Sequence, residues 1–312
     1  MVQQSHLLAN GMQWAWDATS LQAAMTCPMK YKLSILDSWE PARKSHHLIF
    51  GGHYAKALER FHKYRAAGKS MDEATEDCVH DCLIDSWEYD TDAEGLMRNG
   101  GKPWDSMDTA KNRETLIRSI VWYLETFKSE TLETVRLENG QAAVELSFTV
   151  ELNDKYVYCG HMDRVVTNGP ELYVLDQKTT GNTITPKFFD GFTPDVQMTG
   201  YTFAGSAVFH KPIRGVIVDG AQIAVGFTRF ERGFINRTDG DIAEWLQDLF
   251  ELINRFEGYA ESGNYPKNRM SCGNYGGCEF RRICSRDKSI RESFLRGDFV
   301  KRESAWNPLE RR

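Results

Sequence analysis

Residues 160–178, Gly160-His161-Met162-Asp163-Arg164-Val165-Val166-Thr167-Asn168-Gly169-Pro170-Glu171-Leu172-Tyr173-Val174-Leu175-Asp176-Gln177-Lys178, read as strand, turn and strand. Asn-Gly is a strong signal for a two-residue hairpin turn because both residues tolerate positive φ. With Asn168-Gly169 in the turn, Thr167 faces Pro170 and Asp163 lies opposite Val174. Period-two geometry then puts Asp163, Val174, Asp176 and Lys178 on one face, and a one-residue slip would separate them. Two carboxylates and a lysine on a largely apolar hairpin are costly unless compensated, and a hard divalent cation with oxygen ligands, Mg²⁺ or Mn²⁺, compensates them. Taken alone, the same residues also suit a solvated ion-pair patch on an edge hairpin.

Outward from the hairpin, period-two alternation predicts strands over 143–152, 156–166 and 172–178, and a further one over 215–225. Between them Thr193-Pro194 reads as a helix start, with the hydroxyl as cap and proline at the first helical position, leading into 196–208. Residues 241–261 carry Ile242, Trp245, Leu249, Leu252, Ile253 and Phe256 on one amphipathic stripe, a helix packing on the core. Upstream, 52–127 is helical in pattern, interrupted by an exposed loop over 89–108. A helix from Ser20 meets Cys27-Pro28, where proline ends it. After Ser285 the chain is rich in Arg and Lys and reads as weakly structured. The fold class is α/β: a mixed sheet flanked by helices. The expected divisions are an N-terminal segment (1–50), a helical region (51–140), a catalytic core (141–265) and a cysteine-rich closure with a basic tail (266–312).

An Asp on one strand and Asp176-Gln177-Lys178 on the next, followed on a helix by Gln197-Met198-Thr199-Gly200-Tyr201, resemble the RecB-like branch of the PD-(D/E)XK nuclease superfamily. That branch places Q-x-x-x-Y after the (D/E)-x-K strand, and i, i+4 spacing puts both residues on one helical face. The resemblance implies a restriction-endonuclease-like fold and a metal-dependent DNA exonuclease acting on single strands or ends. Its settings would be recombination, repair or phage DNA processing, or end trimming as in CRISPR adaptation. Asp163 and Asp176 would hold Mg²⁺ or Mn²⁺, Lys178 would orient water or stabilise the transition state, and Gln197 and Tyr201 would line the DNA path. The family's upstream G-x-x-x-H departs here: in Phe50-Gly51-Gly52-His53-Tyr54-Ala55-Lys56-Ala57-Leu58-Glu59, Ala55 stands where the histidine ligand belongs. Glu59, one turn on, is the favoured substitute ligand, with His53 through an irregular helix start as the other. Glu145 on the preceding strand is an additional carboxylate candidate, and His161 shares the face of Asp163.

Seven cysteines in a reducing compartment suit thiols or metal ligands better than disulfides. Cys272, Cys278 and Cys284 recur at equal intervals, and Cys27 is a distant fourth. The resemblance implies a 4Fe-4S cluster on these four; zinc and plain buried thiols are the alternatives. Cys78, Cys82 and Cys159 read as core residues. The formal net charge of −6 advertises no nucleic-acid partner, so a DNA site needs a local basic groove. Thr228-Arg229-Phe230-Glu231-Arg232 and the basics Arg281, Arg282, Arg286 and Lys288 are candidates for it. No P-loop occurs, so the chain brings no helicase motor and would act alone or with a helicase or recombination partner. No run of about eighteen apolar residues and no secretory pattern over 1–10 is present, which points to the cytoplasm and away from membranes. A non-catalytic nucleic-acid-binding or assembly subunit is the competing reading, and Ala55 is its support.

Overall fold

The structure, a computed structural model, describes residues 6–43, 45–88, 101–104, 108–302 and 306–310. Of the loop expected over 89–108, residues 89–100 and 105–107 lie outside these. In chain order the N-terminal part holds β1 (Ala15–Trp16), α1 (Ala18–Thr26), α2 (Pro28–Tyr31), β2 (Trp39–Pro41), α3 (His46–Ala66), α4 (Met71–Asp85), β3 (Trp87–Glu88), β4 (Lys102–Pro103) and α5 (Arg113–Thr126). The central part holds β5 (Glu133–Thr134), β6 (Val144–Glu151), β7 (Val157–Asn168), β8 (Glu171–Thr180), α6 (Pro186–Asp190), α7 (Val196–Phe209), β9 (Ile213–Ile223), β10 (Thr228–Ile235) and α8 (Asp239–Ser262). α9 (Arg281–Cys284), α10 (Arg291–Asp298) and β11 (Phe299–Lys301) close the chain.

A mixed sheet runs β1-β7-β8-β9-β10, with β5 and β6 on the other edge of β7. β7–β8 and β9–β10 are antiparallel, whereas β8–β9 is parallel, with α7 in the crossover. Helices cover both faces. Val174, Val216 and Val218 meet Met198, Tyr201, Trp245 and Leu249 of α7 and α8 in one core. Ala221 and Ile223 meet Phe50, Leu58, Leu116 and Ile120 of α3 and α5 in the other. A third, smaller core of Leu33, Trp39, Phe280, Ile283, Leu295 and Phe299 packs the closure, and β11 pairs with β2.

Two expectations are corrected. Asn168 pairs with Glu171, so the turn is Gly169-Pro170, with Gly169 at φ +64°. Pro170 has no N–H to give a ladder, and the turn takes it in. Each partner moves by two residues, so the faces survive, and Asp163 stands level with Asp176 rather than Val174. The residues after Ser285 are also more ordered than expected: α10 buries Leu295, and β11 makes strand pairs.

Candidate functional site

Pairing between β7 and β8 ends at Arg164 and Leu175, while β8 continues beside β9 to Thr180. The strands therefore part at Asp163 and Asp176, and ladder groups there turn to side chains. The Gln177 N–H donates to Asp163 Oδ2 at 2.9 Å. Asp176 is completely buried, and among the described residues Lys178 is the one hydrogen-bonding partner of its carboxylate. Lys178 forms an ion pair with Asp176 Oδ2, the lysine side chain remaining 30% exposed. Burial pushes the Asp176 carboxyl up to about 7, with Asp163 adding to the rise and Lys178 opposing it. For Lys178 burial works against the charge, but Asp176, Asp163 and Asp195 outweigh it and hold the ammonium above its ordinary value.

α7 brings the Q-x-x-x-Y pair to this point. Its cap is Asp195, whose Oδ1 accepts from the N–H groups of Gln197 at 2.8 Å and Met198 at 3.1 Å. Thr193 is thus not the cap, and Pro194 precedes the helix: a carboxylate accepting two terminal N–H groups outcompetes a hydroxyl at that role. Gln197 Nε2 donates to Tyr201 Oη at 2.9 Å. Burial raises the Tyr201 hydroxyl pKa, and Asp176 and Asp163 raise it further, as neighbours. Gly200, inside the motif, lets α7 approach the sheet: a Cβ there would lie 2.0 Å from Tyr158 Oη.

Glu145 sits in β6 between the pairs Val144–Arg164 and Leu146–Met162, level with Asp163, and its backbone is left-handed at φ +48°. Such strain in a strand is concentrated at functional sites. Glu145, Asp163, His161, Gln197 and Tyr201 all line one cavity of about 400 Å³. Trp306, Asn307 and Pro308 line its other wall, and a ring nitrogen of His161 meets the Glu310 carbonyl at 2.7 Å. Asp195 and the 306–310 wall were not singled out from the sequence. The Asx cap before Gln197 is the signal that reveals the first, and nothing local reveals the second.

The upstream metal-ligand candidates lie elsewhere. His53 packs against Trp104, and burial lowers its pKa with Asp85 opposing the shift. Glu59 is paired with Lys63. Both belong to α3, which covers the sheet face opposite Asp176: Gly51 of α3 approaches Thr179, whose side chain points away from that of Lys178. Among the described residues, the three ligating side chains whose donor atoms lie within 4.8 Å of one another are His46, His47 and Asp108, at the start of α3. The tandem His46-His47 is the only trace of this in the sequence.

The four cysteines lie near one another, and Asn268 joins two of them. Its N–H donates to Cys27 Sγ at 3.3 Å, and its carbonyl accepts from Cys272 Sγ at 3.8 Å. Cys278 N–H donates to the Cys272 carbonyl at 3.1 Å. Burial raises the Cys278 and Cys284 thiols, and Cys27 raises both further as a neighbour. Zn–S bonds of about 2.3 Å would set tetrahedral sulfurs about 3.8 Å apart; among the described residues no three of these thiols come within 4.8 Å. Cys78, Cys82 and Cys159 are buried core thiols. On β10, Arg229 pairs with Glu231, and Arg232 is spent on Asp219 and Glu130.

The profile of the PD-(D/E)XK nuclease superfamily matches residues 15–285. Among solved structures, a "Putative exonuclease" from Eubacterium rectale superposes with a TM-score of 0.50 at 12% identity, covering 90% of this chain and 92% of that one. At that identity the likeness concerns the fold alone. A second, SSO0001, reaches a TM-score of 0.32 at 16% identity, covering 55% of this chain and 76% of that one, and supports no conclusion. A search of curated proteins finds no match.

Proposed function

Because the chain belongs to the PD-(D/E)XK nuclease superfamily, we propose that it is a divalent-metal-dependent DNA exonuclease taking single strands or free ends, in recombination, repair or phage-type DNA processing. The observation that carries this reading is Asp176: fully buried, beside a second carboxylate, and answered by the Lys178 ammonium. A buried carboxylate beside a partly buried second one makes it costly for both to be charged without a cation, and hard oxygen donors fit Mg²⁺ or Mn²⁺.

Asp163 and Asp176 would hold the metal, with Glu145, level with Asp163 on β6, as the further carboxylate. Bound there, the metal supplies Lewis-acid charge and a more acidic water. Lys178, kept charged by three carboxylates, is placed to steady the attacking water or the phosphoryl oxygens. Gln197 and Tyr201 flank the acids and would position the scissile phosphate. Cys27, Cys272, Cys278 and Cys284 would carry a 4Fe-4S cluster, joining the segment before α2 to the closure. Loss of a broad visible absorbance band in Cys284→Ser would support the cluster, and stoichiometric zinc in as-purified protein would refute it. A helicase or recombination protein is the partner class such an enzyme would use.

A non-catalytic nucleic-acid-binding or assembly subunit is the second reading, supported by Ala55 in the histidine position and by the placement of His53 and Glu59 away from the acids. The two readings separate in one assay. End-labelled single- and double-stranded DNA and RNA are incubated with Mg²⁺, Mn²⁺ or EDTA, comparing wild type with Lys178→Ala. Metal-dependent cleavage of DNA that Lys178→Ala abolishes establishes the enzyme; binding without cleavage by cluster-loaded protein establishes the subunit. Among the described residues no helix is long and apolar enough to cross a membrane.

A further inference from the structure

A cavity of about 1060 Å³, larger than the catalytic one, opens between the stretch following α2, the residues after α8, and α10 with β11. Its walls carry six cations, Lys32, Lys267, Lys288, Arg291, Arg296 and Lys301, against two carboxylates, Asp37 and Glu292. In a chain of formal net charge −6 this concentration runs against the whole, and a concave wall of one sign focuses its field on ligands of the other.

Both carboxylates are answered locally, Asp37 by Lys32 at 2.7 Å and Glu292 by Arg296 at 2.6 Å. Among the described residues, Lys267, Lys288, Arg291 and Lys301 are in no ion pair within 4.0 Å, although Asp287 faces Arg291 and Glu292 faces Lys301. Two of them are held from behind by backbone: Lys267 Nζ donates to the Cys284 carbonyl at 2.6 Å, and Arg291 Nε to the Arg286 carbonyl at 3.0 Å. Carbonyl anchors fix a cation's position without neutralising it, which is what an anion site requires. Trp39, Tyr265 and Phe299, the aromatic residues of the wall, are 9%, 6% and 7% exposed, and Lys301 lies over Trp39 with its ammonium 5.2 Å from the ring centroid. Buried rings offer bases no open face to stack on, so the surface suits phosphates and is indifferent to base identity.

The cleft adjoins the catalytic cavity through one short piece of chain. Lys301, the end of β11, lines the cleft, and Arg302 lines the cavity that holds Asp163 and Gln197. We propose that the cleft binds the phosphodiester backbone of a nucleic-acid strand, holding it while its end occupies the catalytic cavity. The second clause rests on the nuclease reading; the binding itself does not.

The test measures binding of fluorescent 30-nucleotide DNA and RNA strands in EDTA, over a salt series. Wild type is compared with Lys288→Glu/Arg291→Glu/Lys301→Glu, and with the glutamine version of the same triple variant in case charge reversal disturbs folding. Three lost contacts should weaken binding at least tenfold and flatten the slope of log affinity against log salt by about 2, at roughly 0.7 per single-strand contact. Equal losses for DNA and RNA support recognition of the shared backbone; a loss confined to one of them supports the site and identifies the strand it serves. Unchanged affinity and slope in a glutamine variant with wild-type melting overturns the inference. If wild type cleaves nothing with Mg²⁺ or Mn²⁺ yet the variant loses binding, the cleft stands and the nuclease reading falls. Intact cleavage with unaffected binding does the reverse.

Discussion

Asp176 on β8 and Asp219 on β9 are buried aspartates on neighbouring parallel strands, one residue out of step, and that step turns them to opposite faces of the sheet. Burial raises the carboxyl pKa of both. Their company differs. Asp219 Oδ2 accepts from Tyr123 Oη and, at 3.2 Å, from Arg232 Nη2, and Arg232 Nε lies 3.2 Å from Oδ1. Arg232 and Arg164 both bond Glu130, at 2.8 and 2.9 Å, and Arg232 also lies over the Phe127 ring. Two arginines thus balance two carboxylates, and the set is closed. On the other face Lys178 pairs with Asp176 and lies among three carboxylates, Asp176, Asp163 and Asp195. The same cost of burial produces a structural network on one face and, on the proposed reading, a seat for a cation on the other.

Neutralising each aspartate in turn is the strongest way to break that comparison. Asp176→Asn should cut cleavage by roughly 10³-fold or more, the scale on which losing one preorganised electrostatic element costs an active site, with the melting temperature unchanged or raised. Asp219→Asn should cost about 3–5 kcal/mol of stability, the scale of breaking a buried ion pair, by leaving Arg232 with only the Glu130 carboxylate it shares with Arg164, and leave cleavage per folded molecule at the wild-type level. Paired denaturant titrations and labelled-DNA assays read both. If the stability loss falls on Asp176→Asn and the activity loss on Asp219→Asn, the two faces have been assigned the wrong way round.

Metal linkage sharpens the same contrast at smaller amplitude. A cation bound only by the folded state stabilises it by about 2.7 kcal/mol at a hundredfold excess over its dissociation constant. Mn²⁺ should therefore raise the melting temperature of wild type and of Asp219→Asn, and leave Asp176→Asn unmoved. A shift that persists in Asp176→Asn but vanishes in His46→Ala would place the bound ion at His46, His47 and Asp108 instead.

How much of this was legible in the sequence follows from which physics is local. The face shared by Asp163, Asp176 and Lys178 survived a misplaced turn because the true register differs by two residues, and strand faces repeat every two. The Gln197–Tyr201 pair was legible because i, i+4 spacing is local to a helix. Whether α3 lies above or below the sheet is a tertiary matter that helical periodicity does not encode, which is why His53 and Glu59 read as ligands and sit elsewhere. The left-handed backbone of Glu145 leaves no compositional mark, since the residue is not a glycine. Residues 288–301 read as loose from their charge, yet Leu295 and Phe299 bury themselves in the closure core, and few apolar residues suffice there.

Smaller perturbations test whether α7 serves the Asp176 face for geometry or for packing. Gly200→Ala forces a methyl against Tyr158 Oη, so α7 must shift, costing about 1–3 kcal/mol as overpacking does. Activity should fall with it, because Gln197 and Tyr201 ride on the same turns. Gln197→Ala is the gentlest change, since it deletes the amide that donates to Tyr201 and leaves the helix in place. One hydrogen bond is worth about 0.5–1.5 kcal/mol, so kcat/KM should drop roughly two- to tenfold with the melting temperature unchanged. Its counterpart on the other face is Tyr123→Phe, which removes the hydrogen bond that the Tyr123 hydroxyl donates to the Asp219 carboxylate. That variant should melt earlier and cleave normally. If both variants lose stability alone, the hydroxyl–amide contact on α7 is packing, and the positioning role passes to Tyr201 by itself.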